Sequence, residues 1–473
     1  MRIAIISFHG CPVARLGEKD TGGMNVYVLN LAKELARLGH TVDVFTRFHD
    51  PLDPEIVELE PGAKVIHIKA GPFGEKKAEL PFYIREFVDN LVANSYTAGN
   101  SYDLIHSNYW ISGEVASILS DRWESPHVAT FHTLAKTKLR ARAGERESSL
   151  RINLERQVMD QSTEILALTQ AEKSDIINMY GMSSSKVSVI PAGVDTRTFY
   201  PEDKTEAKQK LGINSGQTIL YAGRIEPIKG LDILLDAFRM LDGSGDAQLI
   251  IVGGSLSEDK ELDRLRSKVD RLGISEKVMF TGSVGQSELR SYYSAADVFA
   301  LPSHYESFGL VALEAMACGV PCISSNRHSP PEVIEDSGIL VNPYSETEIS
   351  DAILSLANNS KLLEELSEKS LKRSYDFSWK KNAQQICELY EIDSDKPMKN
   401  FDKFYELAAY RTLVTVCDFF PDKKQNLILS LLKFDYADLI KWANDFGLDN
   451  PITKDFLLPF EEWLNNKSSN TFQ

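Results

Sequence analysis

Positive charge is in deficit: 52 Lys and Arg stand against 68 Asp and Glu in 473 residues, a formal net charge of −16. A surface this acidic argues against nucleic acid or an anionic membrane as the main partner. Long apolar runs are also missing. None approaches the roughly 20 residues that cross a bilayer, and the strand-like start Met1–Ile6 carries no basic leader, so a soluble, cytoplasmic chain without a transmembrane segment is expected. Cysteine is sparse. Cys11, Cys318, Cys322, Cys387 and Cys417 show no paired spacing, which fits reduced thiols and not a disulfide or zinc framework. Neither domain's first strand is followed by Gly-x-Gly-x-x-Gly, which removes most of the ground for a dinucleotide-dependent dehydrogenase. The Asp-x-Asp at Asp393–Ser394–Asp395 lies in a polar stretch poorly placed to carry a metal, so neither metal nor cofactor is expected.

What is present is a repeated alternation of strand and helix. Arg2–Ser7, His40–Thr46, Lys64–Ile68, Leu104–His106, His127–Thr130 and Glu164–Leu168 read as short buried strands, separated by helical stretches such as Gly22–Leu38, Phe82–Ala98 and Arg151–Asp160. After Val187–Ile190, the Pro- and Gly-containing stretch from Pro191 to Lys204 is the candidate linker. The alternation then restarts through Thr218–Gly223, Gln248–Gly253, Lys277–Thr281, Asp297–Leu301, Pro321–Ser324 and Gly338–Val341, closed by a helix over Trp379–Tyr390. Strand, helix, strand implies parallel sheets. The fold class is therefore α/β, with two doubly wound Rossmann-like domains over residues 1–195 and 196–392. Residues 393–473 read as an all-helical extension, a packing or oligomerisation element and not a catalytic one.

The most informative stretch is His304–Gly319. A short apolar strand runs into a loop and then a helix from Leu310 to Met316, with Ser307 expected as N-cap, Gly319 just past the end and Pro321 preventing continuation. Glu306 and Glu314 lie eight positions apart, about 12 Å at helical rise. That is the reach of a sugar joined through a diphosphate to a nucleoside. Glu306 suits hydroxyls at one end and Glu314 hydroxyls at the other, with the helix-start amides facing the phosphates between them. Glu314 is flanked by Leu313, Ala315 and Met316, and a carboxylate among apolar neighbours needs a partner.

Three further constellations carry chemistry. Gly22–Gly23 stand at a helix start, where backbone approaches an anion closely. His132, in Phe131–His132–Thr133, follows a buried strand, at the end where open α/β sheets bind ligands. Arg224 and Lys229 sit five apart on the glycine-bounded loop Gly223–Gly230, the Arg as a planar fork and the Lys as a point charge, which suits a diphosphate leaving group without a metal.

Taken together, Gly22–Gly23–Met24–Asn25–Val26–Tyr27, Phe131–His132–Thr133, Gly223–Arg224–Ile225–Glu226–Pro227–Ile228–Lys229–Gly230 and Glu306-x7-Glu314 resemble the retaining glycosyltransferases of family 4, over about residues 1–390. The resemblance implies the GT-B fold, two Rossmann-like domains facing a cleft. It implies donor binding by Gly23, Arg224, Lys229, Glu306, Phe308, Gly309, Leu310 and Glu314, with Glu306 at the hexose, Glu314 at the ribose and His132 beside the anomeric carbon. His132, Arg224, Lys229 and Glu306 would form the catalytic set. Within the family the sequence is similar to the branch that includes inositol-phosphate N-acetylglucosaminyltransferases and sucrose-phosphate synthases. Asn25, Lys77, Tyr109, Thr133 and Arg151 resemble that branch's acceptor-binding positions, and Lys76, Lys136, Lys138 and Arg140 are further cations close to them in sequence.

The implied reaction moves a hexosyl group from a UDP- or GDP-sugar to a small phosphorylated sugar or inositol acceptor, with configuration kept. Retaining hydrolases use a carboxylate nucleophile about 5 Å from a second carboxylate, and the first domain supplies no such pair. Front-face attack is implied instead, the leaving phosphate taking the acceptor proton. A nucleotide-sugar epimerase of the same fold is the alternative; donor turnover that depends on an acceptor separates the two.

Overall fold

The computed structural model describes residues 1–14, 22–77, 79–94, 101–142, 144–213, 216–241, 246–254 and 260–391. The expected helical extension, 393–473, lies outside the described residues. Residues 1–146 and 158–391 form one compact unit, and Glu147–Gln157 falls outside it and is described by itself.

Two parallel sheets organise the unit. The first contains β1 (Arg2–Ile6), β2 (Thr41–Arg47), β3 (Ile56–Glu60), β4 (Ala63–Ile68), β5 (Leu104–Asn108), β6 (His127–Thr130), β7 (Glu164–Ala167) and β8 (Val187–Val189), in the order β3-β4-β2-β1-β5-β6-β7-β8. The second contains β9 (Gln217–Ala222), β10 (Ala247–Val252), β11 (Val278–Gly282), β12 (Val298–Leu301), β13 (Cys322–Ser325) and β14 (Gly338–Val341), in the order β11-β10-β9-β12-β13-β14. Both are doubly wound, as the strand-helix alternation predicts. The strand that periodicity misses is β3, an antiparallel edge strand of sequence Ile-Val-Glu-Leu-Glu and only half-buried. Edge strands carry charges on the open side and lose the continuous apolar signature of a parallel core strand. The helix expected over Phe82–Ala98 is shorter, a 3₁₀ turn Leu80–Tyr83 followed by Ile84–Ala93.

In each sheet the strand order reverses next to the first strand, between β1 and β5 in one and between β9 and β12 in the other. A crevice opens beyond the carboxyl ends of the strands at such a reversal, and ligands bind there. The loops leaving β1, β5 and β6 carry Gly22–Gly23, Tyr109 and His132, and those leaving β9 and β12 carry Arg224–Lys229 and Glu306.

The chain passes between the sheets twice, and the two crossings touch. The Val194 amide donates to the Phe377 carbonyl at 3.1 Å. A Cβ on Gly193 would stand 2.4 Å from the Trp379 nitrogen, so no larger residue fits there. The last helix among the described residues, Trp379–Tyr390, reads in sequence as closing the second domain. In the structure it packs on the helix Gly23–Arg37 of the first, with Tyr27 and Trp379 edge to face at 5.6 Å. At its end the Tyr390 hydroxyl meets His106 Nδ1 at 2.5 Å. The second domain is thereby held to the first by its own C-terminal helix.

Candidate active site

The helix of the Glu306–Glu314 stretch runs from Leu310 to Ala317. Its N-cap is Gly309, in left-handed backbone at φ 98°, and not Ser307 as the sequence suggests. The Ser307 carbonyl instead accepts from the Ser329 hydroxyl at 2.7 Å. Glycine at the cap has no side chain to satisfy the first amides, and none does, so the helix start is left open to an external acceptor. Gly319 takes the left-handed position past the C-terminus, as expected. Phe308 beneath the cap is buried and meets Phe377 edge to face at 5.9 Å.

Glu306 and Lys229 come together. Lys229 Nζ lies 2.7 Å from Glu306 Oε2, and the Ser303 hydroxyl donates to the same oxygen at 3.4 Å. Arg224, on the same loop as Lys229, is half-exposed and pairs with Glu226 at 2.8 Å. Glu314 is buried in the helix interior and receives a hydrogen bond from the Tyr293 hydroxyl at 3.1 Å. Burial raises its carboxyl to about 8, and the Tyr293 bond works in the opposite direction. Tyr293 belongs to the candidate site, but sequence reasoning missed it, because helical spacing marks it only as another core aromatic.

The first domain meets this face through its glycines. A Cβ on Gly22 would lie 3.7 Å from Arg224 Cδ, and one on Gly23 would lie 3.4 Å from Leu310 Cδ1. The doublet thus abuts both the cation loop and the open helix start. Asn25, in the first turn of the helix Gly23–Arg37, is buried; its Nδ2 donates to the Cys11 carbonyl at 2.7 Å and its Oδ1 accepts from the Gly22 amide at 3.3 Å.

His132 sits just past β6 with φ 60°, a backbone region that non-glycine residues rarely occupy. The Thr133 amide donates to the Phe131 carbonyl at 2.7 Å across it. This tight turn stores strain, of order 1–3 kcal/mol, of the kind found at functional sites. The ring is fixed as well: Nε2 lies 2.8 Å from the Asn108 carboxamide oxygen, and Tyr27 packs edge to face at 5.0 Å. Because a carboxamide oxygen only accepts, Nε2 carries the proton and Nδ1 keeps its lone pair. Burial, assisted by nearby His106, lowers the imidazole to about 3, so it is neutral at physiological pH. Asn108 and Tyr27 were not anticipated as supports of His132.

Tyr109 also has positive φ, 79°, at the end of β5. Its ring faces His9 at 4.7 Å, and the Lys77 ammonium lies 4.3 Å above it. Asn25, Lys77, Tyr109 and Thr133 therefore all follow or flank carboxyl ends of first-sheet strands. Arg151 belongs to the separate segment Glu147–Gln157, where it is buried between Glu147 at 2.9 Å and Glu155 at 2.8 Å.

Two doubly wound sheets whose switch-point loops meet in this way define a GT-B glycosyltransferase. The pattern described as "Glycosyltransferase Family 4" matches residues 21–198, and that described as "Glycosyl transferases group 1" matches residues 203–373. The D-inositol 3-phosphate glycosyltransferase of Corynebacterium jeikeium is 39% identical over 404 residues, 83% of this chain and 96% of that protein. The protein of the same name from Saccharomonospora viridis is 36% identical over 82% of this chain and 93% of its own. Among solved structures, sucrose-phosphate synthase from Thermosynechococcus elongatus superposes with a TM-score of 0.77 at 31% identity, covering 82% of this chain and 98% of that one. The chain belongs to this family of group 1, family 4 glycosyltransferases. Among the described residues, no helix is long and apolar enough to cross a membrane.

Proposed function

We propose that the protein transfers a hexosyl group from a nucleoside-diphosphate sugar to a hydroxyl of a small phosphorylated acceptor, with retention of configuration. An inositol monophosphate is the first acceptor to test, because the relatives named above are inositol 3-phosphate glycosyltransferases; a hexose phosphate is the second. The observation that carries the reading is the approach of Gly22 and Gly23 to Arg224 and Leu310 across the cleft. That approach sets the glycine doublet against the cation loop and the open helix start, which supports a donor site made of backbone amides, Arg224, Lys229 and Glu306.

In this reading Glu314 accepts the ribose hydroxyls and Glu306 the hexose hydroxyls, while Arg224, Lys229 and the helix-start amides hold the diphosphate. The acceptor hydroxyl attacks the anomeric carbon on the face the diphosphate leaves. The carbon–oxygen bond to phosphate breaks, and the hydroxyl proton passes to the departing phosphate oxygen. The protein orients the reactants and stabilises charge on the leaving group. His132, neutral and locked by Asn108, serves as a polar support beside the reacting carbon and not as a proton donor. Asn25, Lys77, Tyr109 and Thr133 line the acceptor side, with Lys77 available to a phosphate monoester; Arg151 is a further acceptor candidate. No metal is required in this scheme.

The test crosses UDP-, GDP- and ADP-sugars with inositol and hexose phosphates and measures nucleotide release. Release that appears only with donor and acceptor together supports the transfer. Equal nucleotide release without acceptor would favour a hydrolase instead, and conversion of the donor without nucleotide release an epimerase.

A further inference from the structure

Three side chains far apart in sequence meet beside the opening loop of the first domain. Cys11 follows β1, His49 follows β2 and His67 lies near the end of β4, and their sulfur and ring nitrogens all fall within 4.8 Å of one another. Cys11 Sγ and His67 Nε2 are 3.3 Å apart, close to the separation of two ligands on one tetrahedral zinc ion, whose bonds are about 2.3 Å to sulfur and 2.0 Å to nitrogen. Cys11 and His67 are buried, while His49 is partly exposed and leaves a path from solvent.

The groups around these three are arranged as they are around ligands. His49 Nδ1 lies 2.8 Å from Asp53 Oδ2, which leaves Nε2 as the ring's free lone pair. Asp53 is itself pinned by the Asp50 amide at 3.0 Å. A carboxylate on the far nitrogen of a metal-binding histidine fixes its tautomer and raises its basicity. Burial pushes the Cys11 thiol up to about 11, and hydrogen bonds from the Val13 and Ala14 amides work in the opposite direction.

We propose that Cys11, His49 and His67 form a binding site for a thiophilic divalent cation, zinc by ligand type, with Asp53 orienting His49. One thiolate and two imidazoles leave a fourth position for water. The site tethers the loops after β1 and β2 to β4. Because the Cys11 carbonyl holds Asn25 Nδ2 at 2.7 Å, the cation also braces the start of the helix that carries Gly22 and Gly23. Its role is structural, positioning the acceptor side of the cleft, and it takes no part in glycosyl transfer.

Cobalt is the probe. Untagged full-length protein, stripped with chelator, is titrated with Co2+ and followed by absorbance. The expected result is saturation at one equivalent with a sulfur-to-cobalt charge-transfer band and tetrahedral visible bands, both displaced by Zn2+. Cys11→Ser abolishes the charge-transfer band, and Asp53→Asn keeps it but weakens affinity about 10- to 100-fold. Should Cys11→Ser fail to fold, judged by circular dichroism, His49→Ala replaces it: loss of tetrahedral binding supports the site and unchanged binding refutes it. Absence of a thiolate band in the parent protein, or the same band in Cys11→Ser, overturns the proposal. These readouts do not depend on catalysis, so they stand apart from the outcome of the transfer assay.

Discussion

Lys229 and Glu306 form an ion pair of 2.7 Å, with 15% and 10% of their side chains exposed. Removing one partner leaves the other charge nearly dry and unpaired, at a cost of about 2 kcal/mol of stability. Lys229→Ala and Glu306→Ala are each expected to lose stability, and the double variant to lose less than their sum. Denaturant unfolding of the four-member cycle measures this. Additive losses would mean that the pair is not coupled.

Activity should respond differently from stability. Each single variant is expected to lower kcat about 10²-fold or more, since each removes a group aimed at charge or hydroxyls of the donor. Transfer at parental rate in either variant contradicts the assignment.

Gly23 lies against Leu310, with room for a Cβ only at 3.4 Å. Gly23→Val places two methyl groups where the cleft faces meet. We expect the melting temperature to hold within a few degrees and the donor KM to rise about ten-fold, equivalent to 1.4 kcal/mol of binding. An unchanged KM would mean that the donor does not pass between these two residues.

Glu314 supplies a pH test. Burial holds its carboxyl up to about 8, above the ordinary carboxylate range. A raised folded value means that its contribution to stability is fully present below the unfolded value and is lost as pH rises to about 8. Glu314→Gln should therefore flatten that part of the stability profile. Ribose hydroxyls donating to the carboxylate favour its ionised form, so nucleotide binding near pH 7 should release up to about one proton. Calorimetry in buffers of different ionisation enthalpy counts it. No proton release would remove Glu314 from the nucleotide site.

The Glu332 carboxylate of the second domain accepts the Gln170 and Ala171 amides of the first, at 2.7 and 2.6 Å. It caps the helix Gln170–Tyr180 from across the cleft, beside a Thr169–Ser329 contact of 3.0 Å. Glu332→Ala should cost about 1 kcal/mol and favour a more open arrangement. Small-angle scattering is expected to give a larger radius of gyration, shrinking when a nucleotide sugar is added. An unchanged radius would show that this contact does not restrain the domains.

How much of this was legible in the sequence differs by level. Parallel core strands are continuous apolar runs, so β1, β9 and β12 and the loops leaving them are readable, and with them Gly23, Lys229 and Glu306. The edge strand β3 is not, because its charges face solvent. Ser307 misleads because hydroxyl residues usually cap helices, whereas here the cap is Gly309 and the amides stay open. The supports are hidden for another reason. Asn108 orients His132, Tyr293 holds Glu314 and His67 meets Cys11 across gaps of 24, 21 and 56 residues. Only the folded sheets create such neighbours, and spacing along the chain does not encode them.

The central claim is transfer of a hexosyl group between two bound substrates. The direct measurement is proton NMR of the product formed from a nucleotide sugar and an inositol monophosphate, with Glu306→Ala as control. The account predicts a glycosylated inositol phosphate carrying the donor's anomeric configuration, formed together with free nucleoside diphosphate and essentially absent in the variant. A product of inverted configuration, or donor consumption that yields no linked product, would contradict it.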